Sequence, residues 1–228
     1  MLSSWVGIPH NRRHYVPFSF ADRGDVWAAD LAEASMPMMG GKEFASIAEG
    51  LIAGTLVATE FGWDHVENLN AGDRVVTFDS GMQRLKAVRV ATLWTAEKSA
   101  PRQVWPLLVP AKALGNRTEL MLLPQQSVLI ESDEAEDLFG DPFTLVSADV
   151  LEGFRGIARV SPPREVKIVT LEFERDEVVY ANGTTLVHCP SQNRATVSTA
   201  EMLIDTAEGA PYQKLPLAQS RRLVQAMQ

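Results

Sequence analysis

The chain contains 228 residues, of which 46% are apolar and 22% are charged. This composition is typical of soluble globular proteins and excludes the disordered, collagen-like and disulfide-stapled classes. The 29 acidic residues outnumber the 21 basic ones, which gives a net charge of −8 at pH 7. A negative chain does not attract phosphate backbones or anionic membranes, so we expect neither as a partner.

Cys189 is the single cysteine, which excludes an internal disulfide and a cysteine-rich zinc site, and suits a reducing compartment. The first residues place arginines after a short apolar start, the reverse of their order in a secretory signal. The longest apolar stretch, residues 44–59, contains Glu49 and falls short of the ~20 apolar residues of a membrane helix. The sequence therefore predicts a soluble, cytoplasmic protein, although it leaves leaderless secretion open.

Residues 1–49 are predicted to form an irregular N-terminal extension. Prolines and a pair of glycines are scattered through this segment, and only residues 25–34 have the pattern of a short helix. The apolar face of that helix is thin, so the helix would need to dock elsewhere on the protein to be stable.

From residue 54 onward, short runs of β-branched and aliphatic residues alternate with glycine and aspartate turn signals. This pattern predicts successive strands with the spacing of an all-β sandwich or barrel-like fold, and it lacks the helices of a parallel α/β sheet. The predicted strands comprise residues 55–59, 65–69, 74–78, 86–94, 120–123, 127–130, 165–173 and 177–183.

Two segments have a different pattern. Residues 131–141 are acidic but lack the ligand spacing of a calcium-binding loop, so we expect a solvated turn or a short helix. After Pro190 the pattern becomes helical, and an amphipathic helix is predicted over residues 217–227. We therefore divide the chain into an extension over residues 1–49, a β domain over residues 50–190 and a helical tail over residues 191–228.

Three sequence blocks occur in an order that a known family shares. They comprise residues 54–59 (GTLVAT), 66–69 (VENL) and 71–77 (AGDRVVT) for the first block, 123–129 (LPQQSVL) for the second and 177–183 (EVVYANG) for the third. In this order the blocks resemble the Hint domain, the self-processing module of hedgehog proteins and inteins, and most closely its bacterial branch. The resemblance implies a pseudo-symmetric, horseshoe-shaped set of β-strands over residues 50–190.

The resemblance also implies a chemistry of self-cleavage. In active members a thiol or hydroxyl at the start of the domain attacks the preceding carbonyl, and this N-to-S or N-to-O acyl shift converts the amide to a thioester or ester. Four residues before Gly54, where the family usually has this cysteine, the chain has Gly50, which has no side chain to attack with. The family histidine that activates the amide corresponds to Gln126, which can donate a hydrogen bond but cannot carry the proton.

Two further positions depart from the family pattern. The histidine that is common before the closing strand is Asp176 in this chain. His188 resembles the histidine before the terminal asparagine of inteins, but Cys189 stands in place of that asparagine, so asparagine cyclisation is impossible. Neighbouring residues in a strand point to opposite faces, which argues against a catalytic pair of His188 and Cys189. A buried cysteine that packs as a small apolar residue is the simpler interpretation.

These four departures favour a Hint module that has kept its scaffold, has lost self-cleavage and serves as a structural or protein-interaction module rather than an enzyme. The predicted surface for a protein partner, or for self-association, is the tail of residues 191–228. The alternative is a self-cleaving domain with an unorthodox nucleophile, for which Ser46, Thr55 and Cys189 are the candidates.

Other kinds of site have weaker support in the sequence. A small-molecule enzyme would use Asp73, Asp176 or Glu177 as acid or base, but nothing in the sequence pairs these carboxylates. His10 and His14 have the spacing of two metal ligands on a helix, but nearby prolines disfavour a helix and no third ligand follows. We therefore predict no metal and no other cofactor.

Overall fold

The computed structural model describes residues 49–94, 102, 105–162, 165–191 and 212–228. Within these ranges strands predominate, with two α-helices and a few 3-10 turns, so the predicted all-β class is confirmed. The strands are β1 (Leu51–Ile52), β2 (Leu56–Thr59), β3 (Gly62–His65), β4 (Arg74–Thr77), β5 (Gly81–Arg84), β6 (Ala87–Trp94), β7 (Leu107–Val109), β8 (Leu120–Leu122), β9 (Ser127–Glu131), β10 (Phe143–Ser147), β11 (Ala158–Arg159), β12 (Glu165–Glu172), β13 (Glu177–Ala181), β14 (Thr185–Cys189) and β15 (Gln213–Lys214). The helices are α1 (Asp133–Phe139) and α2 (Leu217–Ala226).

These strands form three sheets in the described part of the chain. The largest sheet has the order β15-β10-β9-β14-β13-β2-β4-β5, with β3 paired to β2. A second sheet has the order β1-β12-β6, and a third has the order β11-β7-β8. The pairing of β10 with β15 is parallel, and the other described strand pairs are antiparallel. Short turns join the antiparallel pairs β2–β3, β4–β5 and β13–β14, as the glycine and aspartate signals predict.

The acidic segment folds as the short helix α1. The Ser132 side chain caps its start by accepting a hydrogen bond from the Ala135 N–H at 3.1 Å. Three acidic residues lie in the first turn, where the positive end of the helix dipole stabilises them. Gly140 ends the helix with φ of 82°, a left-handed conformation that glycine adopts without a steric penalty. The expectation of a turn or short helix rather than a calcium loop fits this geometry.

The prediction of a strand over residues 65–69 is wrong. The chain forms β3 and then turns into a 3-10 helix over Val66–Asn68. The Asp64 carboxylate accepts hydrogen bonds from the His65 N–H at 2.7 Å and from the Asn68 side-chain amide at 2.9 Å. These local bonds offer the backbone a turn in place of a strand ladder, while Val66 still reaches the core.

Apolar side chains on the two faces of the largest sheet belong to different clusters. Val128 and Val187 lie in the main core, whereas their neighbours Leu129 and Leu186 belong to a smaller cluster that includes Tyr212. This alternation follows from the two-residue period of a strand. The largest sheet therefore buries both of its faces in the region of β9 and β14, next to the candidate site.

The C-terminal segment packs on the domain. The predicted helix over residues 217–227 is present as α2, which buries Leu223 and Val224 in the main core and contacts α1 and β10. Leu215 lies in the same core. The apolar stripe of α2 is thus used in packing against the domain.

The remaining predictions about the ends of the chain lie outside the described residues. These include the extension before Glu49, with its helix over residues 25–34, and the first part of the tail, residues 192–211. The division of the chain at residues 50 and 190 stays a prediction. No helix among the described residues has the length and apolar character needed to cross a membrane.

Candidate functional site

Gly50 lies at the start of the domain, immediately before β1. The pairing of β1 with β12 sets Leu51 opposite Val169 and fixes the direction in which the chain enters the fold. The Gly50 N–H donates a hydrogen bond of 2.8 Å to the Oε1 atom of Gln126. The structure therefore brings together two of the residues that the sequence singled out, although 76 positions separate them.

There is no room for a side chain at residue 50. A Cβ atom built on Gly50 would lie 2.6 Å from the Cγ2 atom of Ile168 and 3.3 Å from the Oγ1 atom of Thr170. Ile168 is fully buried, so it cannot swing into solvent to accommodate the new atom. A cysteine at this position would require the core around β12 to rearrange.

Gln126 joins the start of the domain to its last strand. Its Nε2 atom donates hydrogen bonds to the backbone carbonyl of His188 at 2.8 Å and to that of Ser127 at 3.2 Å. The side chain is 1% exposed, so each of these hydrogen bonds forms away from water. The carboxamide has no proton that it can give up near neutral pH, so its role in this arrangement is to position the two backbones.

The strand register explains why Gln126 reaches β14. Leu129 lies opposite Leu186, and Val128 lies opposite Val187. Extending this antiparallel register by two residues sets Gln126 beside Cys189. A small cavity results, and the residues that line it include Glu49, Gly50, Gln126, Thr170, His188 and Cys189.

His188 and Asp176 form a buried pair at the edge of this cavity. The His188 Nε2 atom lies 3.7 Å from the Asp176 Oδ2 atom, and the Asp176 Oδ1 atom accepts a hydrogen bond from the Ser191 N–H at 2.7 Å. Burial would raise the pKa of Asp176, but the His188 imidazole and hydrogen bonds from Ser191 outweigh it and hold the pKa well below its usual range. Asp176 is therefore a carboxylate at neutral pH and lies beside the imidazole.

Cys189 has the opposite electrostatic surroundings. Burial raises the pKa of its thiol far above the ordinary value, and the carboxylates of Glu49, Glu177 and Asp176 raise it further. The side chain is 6% exposed and packs in the main core. The thiol is thus protonated at neutral pH, as the interpretation of a small apolar residue predicts.

Of the two candidate hydroxyl nucleophiles, Thr55 lies within the described residues and Ser46 does not. Thr55 is 3% exposed, and its Oγ1 atom donates a hydrogen bond of 2.6 Å to the carbonyl of Ile52. This bond stabilises the turn between β1 and β2, so the hydroxyl is already engaged. Ser46 lies outside the described residues.

The three carboxylates of the small-molecule alternative have different surroundings. The Asp73 Oδ2 atom accepts a hydrogen bond of 2.7 Å from the Asn70 N–H within its own turn. Asp176 is engaged with His188, and Glu177 is buried opposite Cys189 in the β13–β14 pair.

The junction between the preceding segment and the domain is the peptide group that joins Glu49 to Gly50. Sequence reasoning missed three residues that hold this junction, namely Glu49, Ser127 and Lys214. The Glu49 Oε1 atom accepts a hydrogen bond of 2.8 Å from the Ser127 hydroxyl and lies 3.1 Å from the Lys214 Nζ atom. The positions of Glu49 and Ser127 beside Gly50 and Gln126 in the chain are a signal that could have found them. Lys214 has no such signal, because 165 positions separate it from Glu49.

No group of three or more histidine, cysteine, aspartate or glutamate side chains that could hold a metal ion occurs among the described residues. His65 lies exposed at the end of β3, whereas His10 and His14 are outside the described part of the chain.

A family model for the Hint domain matches residues 50–186. The chain belongs to the Hint domain family. The matched range begins at Gly50 and includes Gln126 and Asp176, but it ends two residues before His188. The Hint fold agrees with the all-β architecture and with the three sequence blocks.

Solved structures similar to this chain include an intein-like domain and an intein. A bacterial intein-like domain from Clostridium thermocellum shows 14% identity, with 61% of this chain and 98% of that chain covered and a TM-score of 0.45. The MchDnaB-1 intein shows 15% identity, with 60% and 98% covered and a TM-score of 0.38. No curated protein matches the chain significantly.

Proposed function

We propose that this Hint domain does not cleave its own backbone and serves as a structural or protein-interaction module that keeps the preceding segment attached. The observation that carries the proposal is residue 50. A glycine stands at the start of the domain, and its Cβ position is 2.6 Å from a buried methyl group of Ile168. Both the nucleophile and the space for one are missing at this point.

The contacts of Gln126 support the same conclusion. An amide leaving group must gain a proton as the C–N bond breaks, and a general acid has to supply it. The Gln126 Oε1 atom instead accepts the Gly50 N–H, and a carboxamide cannot act as a proton donor of this kind. The hydrogen bond therefore positions the amide of residue 50 without supplying a proton to it.

A self-cleaving domain with another nucleophile is the competing hypothesis. One observation favours Cys189 among the candidates, because this thiol and Gly50 line the same cavity. Against it, burial and three nearby carboxylates keep the thiol protonated. The Thr55 hydroxyl donates its hydrogen bond to the Ile52 carbonyl, and Thr55 lies five positions after Gly50 in the chain.

The intact mass of the purified full chain, followed over hours with and without dithiothreitol, tests the proposal. We expect a single mass equal to the complete sequence under both conditions. Thiol-dependent fragments that end at Glu49 would overturn the proposal. The variants Ser46→Ala, Thr55→Val and Cys189→Ala would then identify the nucleophile, since only the variant that lacks it would stop cleaving.

A protein partner or self-association through the C-terminal tail remains part of the proposal. The apolar stripe of α2 is occupied by the domain, whereas Gln219, Arg221, Arg222 and Gln225 are exposed. A partner of this helix would therefore meet polar and basic side chains together with the half-exposed Leu217. Sedimentation equilibrium of the full chain and of its Arg221→Ala/Arg222→Ala variant tests self-association, which should be weakened in the variant.

A further inference from the structure

The residue before the domain is held by two different parts of the chain. Glu49 accepts a hydrogen bond from the Ser127 hydroxyl at 2.8 Å, next to the Gly50 contact with Gln126. Its second partner is the ammonium group of Lys214 at 3.1 Å. One carboxylate oxygen thus joins the junction, the start of β9 and the C-terminal segment.

The burial of Glu49 distinguishes its contacts from those of an ordinary surface ion pair. The Glu49 side chain is only 16% exposed, whereas that of Lys214 is 48% exposed. A largely buried carboxylate needs partners for its charge, because burial without them is costly. Ser127 and Lys214 together supply one hydrogen bond and one positive charge.

The C-terminal segment is attached to the sheet by a short strand. β15 contains two residues and pairs in parallel with β10 at the edge of the largest sheet. The Leu215 N–H continues this pairing with a hydrogen bond of 2.9 Å to the Leu145 carbonyl. Such a short parallel pairing has few ladder hydrogen bonds, so side-chain contacts of Lys214 matter for how often it opens.

We propose that Glu49, Ser127 and Lys214 form a clasp that couples the N-terminal junction of the domain to its C-terminal segment. Opening of β15 removes the cation from Glu49 and loosens the junction before Gly50. By reciprocity, loosening of the junction removes the anion from Lys214 and makes opening of β15 easier. A partner that binds one end of the chain thereby changes the stability of the other end.

Hydrogen exchange at two backbone amides of the full chain tests the clasp. The Gly50 amide reports on the junction, and the Leu215 amide reports on β15. The variant Lys214→Met removes the cation, and Glu49→Gln removes the anion while keeping an oxygen that can accept from Ser127. Lys86→Met is the matched control, because Lys86 forms a surface ion pair with Glu174 at 3.7 Å.

Lys214→Met should raise the exchange rate of the Gly50 amide about two- to fivefold, the range expected for a partly exposed ion pair. Glu49→Gln should raise the rate at Leu215 by a similar factor. The double variant should match either single one, and Lys86→Met should change neither amide. The proposal is wrong if Lys214→Met changes exchange only at Leu215 and Glu49→Gln changes it only at Gly50. It is also wrong if the effects of the two substitutions multiply in the double variant.

The clasp rests on the proposed function, because Glu49 precedes the bond that self-cleavage would break and must stay joined to Gly50. A chain that cut itself would show fragments in the mass spectrum of the same samples. Uncoupled exchange in an intact chain would overturn the clasp alone, whereas fragments that end at Glu49 would overturn the proposed function and the clasp with it.

Discussion

The small cavity that Gly50, Gln126 and Cys189 line has two sides, which differ in what limits their chemistry. On the junction side, residue 50 carries no side chain, and Ile168 fills the space where one would begin. On the β14 side, His188 and Cys189 are present, but burial and nearby carboxylates keep the thiol protonated. One side lacks the reactive group, whereas the other has it in an unfavourable environment. The comparison teaches that two sides of one cavity can be limited by different physical causes, lack of space at residue 50 and the electrostatic surroundings of the thiol at Cys189.

The strongest test of this comparison removes the link between the two sides. Gln126→Leu leaves the Gly50 N–H and the His188 carbonyl without their buried partner. We expect the free energy of unfolding to fall by about 2–4 kcal/mol, since unpaired buried polar groups are costly. Urea denaturation measures this change.

The neighbouring variant Gln125→Leu is the control, because Gln125 is exposed. We expect it to stay within about 0.5 kcal/mol of the wild type, as most surface substitutions do. Similar stabilities for the two variants would show that Gln126 does not hold the two sides together.

The lack of space on the junction side can be tested with a single methyl group. Gly50→Ala should lower the free energy of unfolding by about 1–3 kcal/mol, because the new Cβ atom meets Ile168. In the background of Ile168→Ala, which removes the opposing Cγ2 atom, the same change should cost less. A double-mutant cycle by urea denaturation measures the difference. Additive effects would mean that Ile168 does not exclude a side chain at residue 50.

The surroundings of Cys189 predict a pH dependence on the β14 side. Because the folded chain raises the pKa of this thiol, the unfolded chain loses the proton first as pH rises through about 8.5. The unfolded state then binds fewer protons, so the free energy of unfolding should fall by up to about 1.4 kcal/mol per pH unit between pH 9 and 10. Denaturation of the wild type and of Cys189→Ala compares the slopes.

The Cys189→Ala variant should lack this part of the slope. Equal slopes in the two proteins would mean that the thiol ionises as easily in the folded chain as in the unfolded one, and would reopen its role as a nucleophile.

The smallest expected effect concerns Thr55. Thr55→Val removes the hydrogen bond to the Ile52 carbonyl and should cost about 0.5–1.5 kcal/mol. Its intact mass should match its sequence, as for the wild type. A wild type that cleaves beside a Thr55→Val variant that does not would assign the hydroxyl a catalytic role.

Part of the strand set could be predicted from the sequence because the signals of those strands are local. Runs such as residues 127–130 and 165–173 combine apolar side chains with turn residues at their ends, and they correspond to β9 and β12. The error at residues 65–69 is also local, since the Asp64 carboxylate stabilises a turn where the apolar pattern suggests a strand. Sequence reasoning did not find β5, β7 and β10, nor did it find β15, which contains two residues and depends on pairing with a distant strand.

The candidate site could be predicted only in part. Gly50 and Gln126 were found because the order of three blocks aligns them with a family, and the structure places them in contact. The clasp could not be found in this way. Glu49 and Lys214 are 165 positions apart, and their contact depends on the parallel pairing of β15 with β10. Pairings of this kind depend on the tertiary fold, which local patterns do not encode.

The most direct test of the central claim is the mass of a chain that carries different tags at its two ends, measured in the lysate directly after expression. Cleavage before purification would otherwise escape detection. We predict that both tags are found on one species with the mass of the complete chain, with or without dithiothreitol. A tagged N-terminal fragment that ends at Glu49 would contradict the claim that the junction before Gly50 is not cut.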